Sequence, residues 1–234
     1  MRDKGLDIDY SFQIPYSKKC KRAILKKIAL HYGEEKREEI WKRVQHQYSS
    51  YLSVLKTNYG GKKNFHNKAG GNYDCIALTS YYVVCKDVTS IEEIEEMEKS
   101  LFLPSFSFLS KFVDCNKPFF KRLMYKSFLR AKKGCDRWKD YKMNVSPYTD
   151  DKPISYEFTF CPVAEFTKAH EVEEIMPAFC NPDYDAMEKI NARLIRRTTC
   201  ANGEKCDYII CGNKDPFIKK HPEYVDSVGF RRNK

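Results

Sequence analysis

Three cysteines stand where a thiol can do chemistry. Cys180 opens the run Cys180-Asn181-Pro182-Asp183, in which Asn181 reads as a helix N-cap and Pro182 as the first helical residue. That placement puts the sulfur beside free backbone N–H groups and the positive end of a helix, where a thiolate is favoured. Asp183, in the same first turn, can move a proton or hold a substrate amine; an ionised Asp183 close by opposes thiolate formation. Cys161 repeats the arrangement, ending an aromatic stretch just before Pro162, and Cys206 begins a strand just after the turn Asn202-Gly203. The competing reading of each is a buried, inert cysteine acting as a small hydrophobe. That reading is preferred for Cys20, Cys75, Cys85, Cys115 and Cys135.

Other groups have less pointed chemistry. His170 ends the helix that Pro162 begins; it is a candidate substrate contact, set against a cation favoured by the helix dipole. Arg196 and Arg197 lie on a strand, so one faces each side. An inward arginine can clamp a carboxylate, although a surface location is the default for both. Asp207 points to the face opposite Cys206. Cys161, Cys180, Cys206 and His170 can be gathered into a zinc site by folding, but no Cys-x-x-Cys pair advertises one. There is no P-loop, dinucleotide glycine fingerprint or His-Glu-x-x-His, so no metal or cofactor is expected.

The elements that position these residues change character along the chain. Ser17 can cap a first helix carrying Ile24, Leu25 and Ile28. A longer helix from about Glu34 to Thr57 has the apolar face Ile40, Trp41, Val44, Tyr48, Tyr51, Leu52 and Leu55, with Gly60-Gly61 to stop it. Lys62 to Gly71 is a polar loop, with a lid role left open. Tyr73 to Val88 is long and apolar, which favours a buried helix. Ser90-Ile91-Glu92-Glu93 is a capping box ahead of Ile91, Ile94 and Met97. Asn116 and Pro118 open a further helix that Gly134 closes, with Phe119, Phe120, Leu123, Met124 and Phe128 as its buried stripe.

After Gly134 the period drops to two. Tyr141, Met143 and Val145 alternate with polar residues, and so do Ile154, Tyr156, Phe158 and Phe160. Helices are expected from Pro162 to about His170 and from Pro182 to about Ile190. Strands follow at Arg193–Thr199 and Cys206–Cys211. The reading is α+β: a helical N-terminal half packed on a C-terminal antiparallel sheet, with two helices inserted between strand pairs. Residues 1–212 form one domain, mainly helical over 1–134 and sheet-bearing over 135–212. The polar tail 213–234 is expected to be loosely ordered or extended.

Composition bounds the function. The chain has 234 residues and a formal charge of +10. Residues 1–70 carry 16 Lys/Arg against 7 Asp/Glu, and residues 117–152 carry 11 against 4. That excess falls between apolar helical positions, as on a solvated helix face, and no nucleic-acid-binding signature accompanies it. No apolar run approaches the ~18 residues of a membrane span, and the first residues do not read as a signal peptide. Ten cysteines are well below the ~8–10 % of a disulfide scaffold. The expectation is a cytoplasmic protein with reduced thiols.

The run Cys161-Pro162-Val163-Ala164-Glu165, then Cys180-Asn181-Pro182-Asp183-Tyr184, then Thr198-Thr199 and Gly203-Glu204-Lys205-Cys206-Asp207-Tyr208, resembles the L-2-amino-thiazoline-4-carboxylic acid hydrolase family. The resemblance covers about residues 150–212. It implies a small-molecule substrate and cleavage of a C–S bond in a cyclic amidine: water adds at C2 of the thiazoline, the ring thiolate leaves, and N-carbamoyl-L-cysteine results. Carried over by position, the site residues are Cys161, Cys180, Asp183, Thr199 and Cys206. In the working mechanism Cys180 is the nucleophile, Asp183 handles protons, Cys161 and Cys206 line the pocket or assist, and Thr199 binds substrate. The Gly-to-Cys-aromatic ending also resembles vinyl-reductase-type small-molecule-binding domains, which keeps a non-catalytic sensor as the alternative.

Overall fold

The computed structural model describes residues 16–55, 72–138 and 141–234. The Gly60-Gly61 stop and the Lys62–Gly71 loop lie outside the described residues.

Helix α1 (Lys18–Tyr32) begins where the Ser17 hydroxyl accepts the Cys20 N–H at 3.0 Å and buries Cys20, Ile24 and Ile28. Gly33, at φ 84°, ends it in a conformation that a residue with a Cβ adopts only under strain. Helix α2 (Arg37–Leu55) buries the whole apolar face read from the sequence, Ile40 through Leu55. Helix α3 (Asn72–Val84) is apolar nearly all round and correspondingly buried nearly all round.

Helix α4 (Ile91–Leu109) starts at Ser90, whose hydroxyl accepts the Glu93 N–H. The capping box is only half made. The Glu93 carboxylate turns away to His31 at 2.8 Å, to the Tyr81 hydroxyl at 3.0 Å and to Lys27 at 3.2 Å.

Helix α5 (Pro118–Trp138) runs through Gly134 rather than ending there. Gly is merely a poor helix former, at about 1 kcal/mol against Ala, and the surrounding turns override it. Its expected stripe also divides: Met124 and Phe128 pack on the core, while Phe119 and Leu123 are 69% and 45% exposed.

Strands β1 (Lys142–Val145), β2 (Ile154–Phe160), β3 (Ala192–Ile195) and β4 (Cys206–Gly212) form an antiparallel sheet in the order β1-β2-β4-β3. The pairs Ile154–Ile210, Tyr156–Tyr208 and Phe158–Cys206 share the inner face, while Glu157 and Asp207 pair on the outer one. β3 stops at Ile195, so Thr198 and Thr199 belong to the following loop and not to the strand. The backbone approach is close at the far end of β4: a Cβ on Gly212 would sit 2.9 Å from the Cys115 carbonyl oxygen.

Between β2 and β3 run α6 (Pro162–Ala169), the short α7 (Met176–Cys180) and α8 (Pro182–Lys189). Two helices were legible there; α7 is the addition. α4 packs on α7 and α8, and α5 on β1 and β2, so the architecture is α+β with helices on the inner sheet face.

The segment from 213 is not a loose tail. It makes a hairpin of β5 (Glu223–Val225) and β6 (Arg231–Asn233), with Phe230 buried and Asn233 bonded to Arg196 and Tyr184. Among the described residues no helix is long and apolar enough to cross a membrane.

Candidate active site

A cavity of about 640 Å³ opens between α4, α5 and the inner sheet face, closed by α6, α7 and α8. Its wall includes Cys161, Cys180, Asp183, Thr199 and Cys206. Residues drawn from a helix start, the α7–α8 junction, a loop and a strand thus meet on one space. His170 is not on that wall. Its ring packs 4.6 Å from Tyr51 and 4.7 Å from Phe166, and burial pushes the imidazole below its ordinary pKa, against the helix-end cation reading. Among the described residues no three His, Cys, Asp or Glu side chains are placed to hold a metal ion together.

The polar anchor of the cavity is Arg196. The surface location expected for it does not hold, since its side chain is fully buried. The guanidinium donates to Asp183 Oδ2 at 3.0 Å, to the Tyr208 hydroxyl at 3.3 Å and to the Cys180 carbonyl at 2.9 Å. It also lies 5.1 and 5.4 Å from the rings of Tyr184 and Tyr208. The Tyr208 hydroxyl donates in turn to Asp183 Oδ2 at 2.9 Å. Burial pushes the Asp183 carboxyl up, opposed by Arg196 and by Tyr208. Arg197 takes the outer face, where Asp207 receives its backbone N–H and its Nε.

The thiols differ from the helix-end picture. Asn181 holds the position before α8, with Pro182 the first helical residue, but it does not cap: its backbone is helical, and its side chain instead bonds Glu95, the Gly229 carbonyl and the Arg231 N–H. Cys180 therefore ends α7 rather than facing free N–H groups, and burial pushes its thiol well up despite nearby Arg196. Cys161 does stand at a helix start, where the Val163 and Ala164 N–H groups pull its pKa down, but burial and Cys206 outweigh them and leave it at about 12.

The thiol that runs the other way is Cys200, which nothing in its sequence neighbourhood marks. Its N–H donates to Cys206 Sγ at 3.1 Å, and its own Sγ donates to the Phe158 carbonyl at 3.3 Å. The side-chain hydrogen bond from Cys206 lowers the Cys200 pKa, while the same bond and burial raise that of Cys206. Cys200 lines the cavity between Thr199 and Ala201. Thr199 is buried and its hydroxyl donates to Asn202 at 2.8 Å, which fixes this loop.

Two further wall residues have ionisable side chains. Glu98 of α4 follows Ile94 by one turn and faces the cavity; burial first, then the charges of Asp74 and Asp183, push its carboxyl up to about 8. The available signal was an acidic residue in register with the apolar positions Ile94 and Leu101. Arg130 of α5 stands exposed on the rim.

The model of the L-2-amino-thiazoline-4-carboxylic acid hydrolase family matches residues 77–210, more than half of the chain. The chain belongs to this family. The match begins inside α3 and ends in β4, so it takes in all of α4 to α8 and every cavity residue named above. For this hydrolase-family chain no curated protein and no solved structure gives a match.

Proposed function

We propose that the chain hydrolyses a 2-amino-thiazoline-4-carboxylate, or a closely related small cyclic amidine, at its ring C–S bond. The observation that carries this reading is the convergence of Cys161, Cys180, Asp183, Thr199 and Cys206 on one cavity. Its volume lies within the ~300–1,000 Å³ of small-molecule sites. In this reading Cys200 supplies the attacking sulfur, because its pKa is lowered by the Cys206 hydrogen bond whereas burial raises those of Cys180 and Cys161; the proton that its Sγ donates to the Phe158 carbonyl leaves to solvent before it attacks. The thiolate adds to C2. The C2–S ring bond then breaks, its electron pair leaving on the ring sulfur, and C2 stays bonded to Cys200. Water adds to C2, the bond to Cys200 breaks, and N-carbamoyl-L-cysteine departs. Asp183, already held by Arg196 and Tyr208, shapes the wall and orients the amidine. Arg130 at the rim receives the substrate carboxylate.

The raised thiol pKa values of Cys161 and Cys180 favour one rival, a cavity that binds small molecules without turnover. Purified protein is incubated with the thiazoline, and thiol is measured in the protein-free filtrate. Catalytic release that falls in Cys200→Ser supports the hydrolase. Thermal stabilisation by the compound without released thiol supports the binder and overturns the hydrolase.

A further inference from the structure

Two carboxyl groups line the cavity, and they are in opposite situations. Asp183 is engaged by Arg196 and Tyr208 on its Oδ2. Glu98 is not: its Oε2 is shielded from water and has no hydrogen-bond partner among the described residues. A carboxyl oxygen left unpaired inside a protein is a standing penalty, and its place on a cavity wall points to use.

Among the described residues, the groups around Glu98 offer it no paired counter-charge. Asp74 and Cys75 face it from α3, Cys20 from α1 and Asp183 from α8. Cys180 of α7 and Arg130 of α5 line the same cavity, with Arg130 out at the rim. On its own helix Lys99 is committed to Glu95 and Asp185, at 2.8 and 3.2 Å. The neighbours are therefore acids and neutral thiols, and a carboxyl among them keeps its proton to about pH 8.

We propose that Glu98 is the proton-transfer residue of this cavity, giving its proton to the ring nitrogen of the amidine and recovering it from the attacking water. This rests on the hydrolase reading above. Protonation makes C2 electrophilic as the Cys200 thiolate adds, and leaves Glu98 a carboxylate. Loss of the ring thiolate leaves a cationic adduct on Cys200, which the Glu98 carboxylate balances. Water then attacks C2. One of its protons returns to Glu98 and the other goes to the product thiolate, while the electron pair of the C2–sulfur bond returns to Cys200. The substrate gains one water and the protein is restored. A neutral carboxyl near the working pH is well matched to such a step, which is worth roughly 10²–10⁴-fold in rate.

The test uses the full chain as wild type, Glu98→Gln and Glu98→Asp. In the free protein, infrared titration is expected to show the carbonyl stretch of a protonated carboxyl that is absent from Glu98→Gln and fades as pH rises through about 8. With the thiazoline, Glu98→Gln is expected to lose roughly 10²–10⁴-fold in kcat with KM little changed. The wild-type rate falls above that pH, and Glu98→Asp recovers part of the rate and an alkaline limb. An infrared band untouched by Glu98→Gln, or a Gln variant with wild-type kcat and pH profile, overturns the proposal. A wild type that does not open the ring overturns the hydrolase reading instead, and the infrared titration then decides on its own whether Glu98 holds the proton.

Discussion

Replacing Arg196 with methionine keeps an unbranched apolar stem but removes a buried cation. Three hydrogen bonds go with it, to Asp183, Tyr208 and the Cys180 carbonyl, together with its contacts to two tyrosine rings. The main cost is what remains: Asp183 in the same enclosed place without its counter-charge. Breaking a buried pair from one side costs about 3–5 kcal/mol, and the 30% exposure of the Asp183 side chain places this loss at or below the lower end of that range. That cost depends on pH. The folded pKa of Asp183 is already raised above its ordinary value, and loss of Arg196 raises it further. The folded variant thus binds a proton more tightly than the unfolded chain does. The Asp183 contribution to the loss is smallest below the wild-type folded pKa, where both proteins hold the proton, grows by about 1.4 kcal/mol per pH unit as pH rises from that value to the higher folded pKa of the variant, and levels off above it. Urea unfolding of wild type and Arg196→Met, at about pH 5 and about pH 8, is expected to show the larger difference at the higher pH. Arg196→Met/Asp183→Leu is expected to lose less than the two single losses added together. Equal losses at both pH values with additive singles would refute the coupling of these two residues.

Glu98→Gln should change the pH dependence of stability in the opposite sense to a salt-bridged acid. Wild type loses stability as pH climbs from the ordinary 4.5 toward about 8, by at most about 5 kcal/mol, and the Gln variant does not; unfolding titrations across that range check it. Alkylation with iodoacetamide near neutral pH, followed by peptide mapping, is expected to modify Cys200 before Cys161 or Cys180. Cys206→Ala is expected to slow that reaction, because it removes the hydrogen bond that favours the Cys200 thiolate. Asn233→Ala takes the acceptor from the Arg196 N–H and the Tyr184 hydroxyl, at 3.0 and 3.1 Å, and is expected to cost about 1–3 kcal/mol in thermal or urea unfolding.

Helical and strand periodicity was legible wherever one face is buried and the other wet. The α2 stripe from Ile40 to Leu55 and the alternation of Ile154, Tyr156 and Phe158 both read directly, because burial repeats with the period of the element. Elements ended by tertiary packing were less legible. Gly134 looks like a stop but sits inside α5, and β3 ends at Ile195 although the strand was expected to run on to Thr199. The C-terminal hairpin is held by one buried ring, Phe230, and by the hydrogen bonds of Asn181 and Asn233, which leave no periodic trace.

The cavity shows the same division. Cys161, Cys180, Asp183, Thr199 and Cys206 were identified through motif resemblance and helix-start signals, and they do meet. What spacing could not supply is environment. Asn181 is a polar residue before Pro182 in both the cap reading and the folded chain, yet its side chain serves the hairpin rather than the helix. Arg196 and Arg197 are indistinguishable in sequence, and only the pleat and Asp183 decide which one is buried. Cys200 gains its character from Cys206, and Glu98 from burial beside Asp74 and Asp183 with no cation paired to it among the described residues.

The most direct measurement is acid quenching during turnover of the thiazoline, followed by mass mapping of the cysteine peptides. An adduct with the mass of the intact substrate on the Cys200 peptide, absent in Cys200→Ser together with turnover, is the expected result. Ring opening at an undiminished rate in Cys200→Ser, with Cys200 unmodified at every quench time in the wild type, would contradict the account.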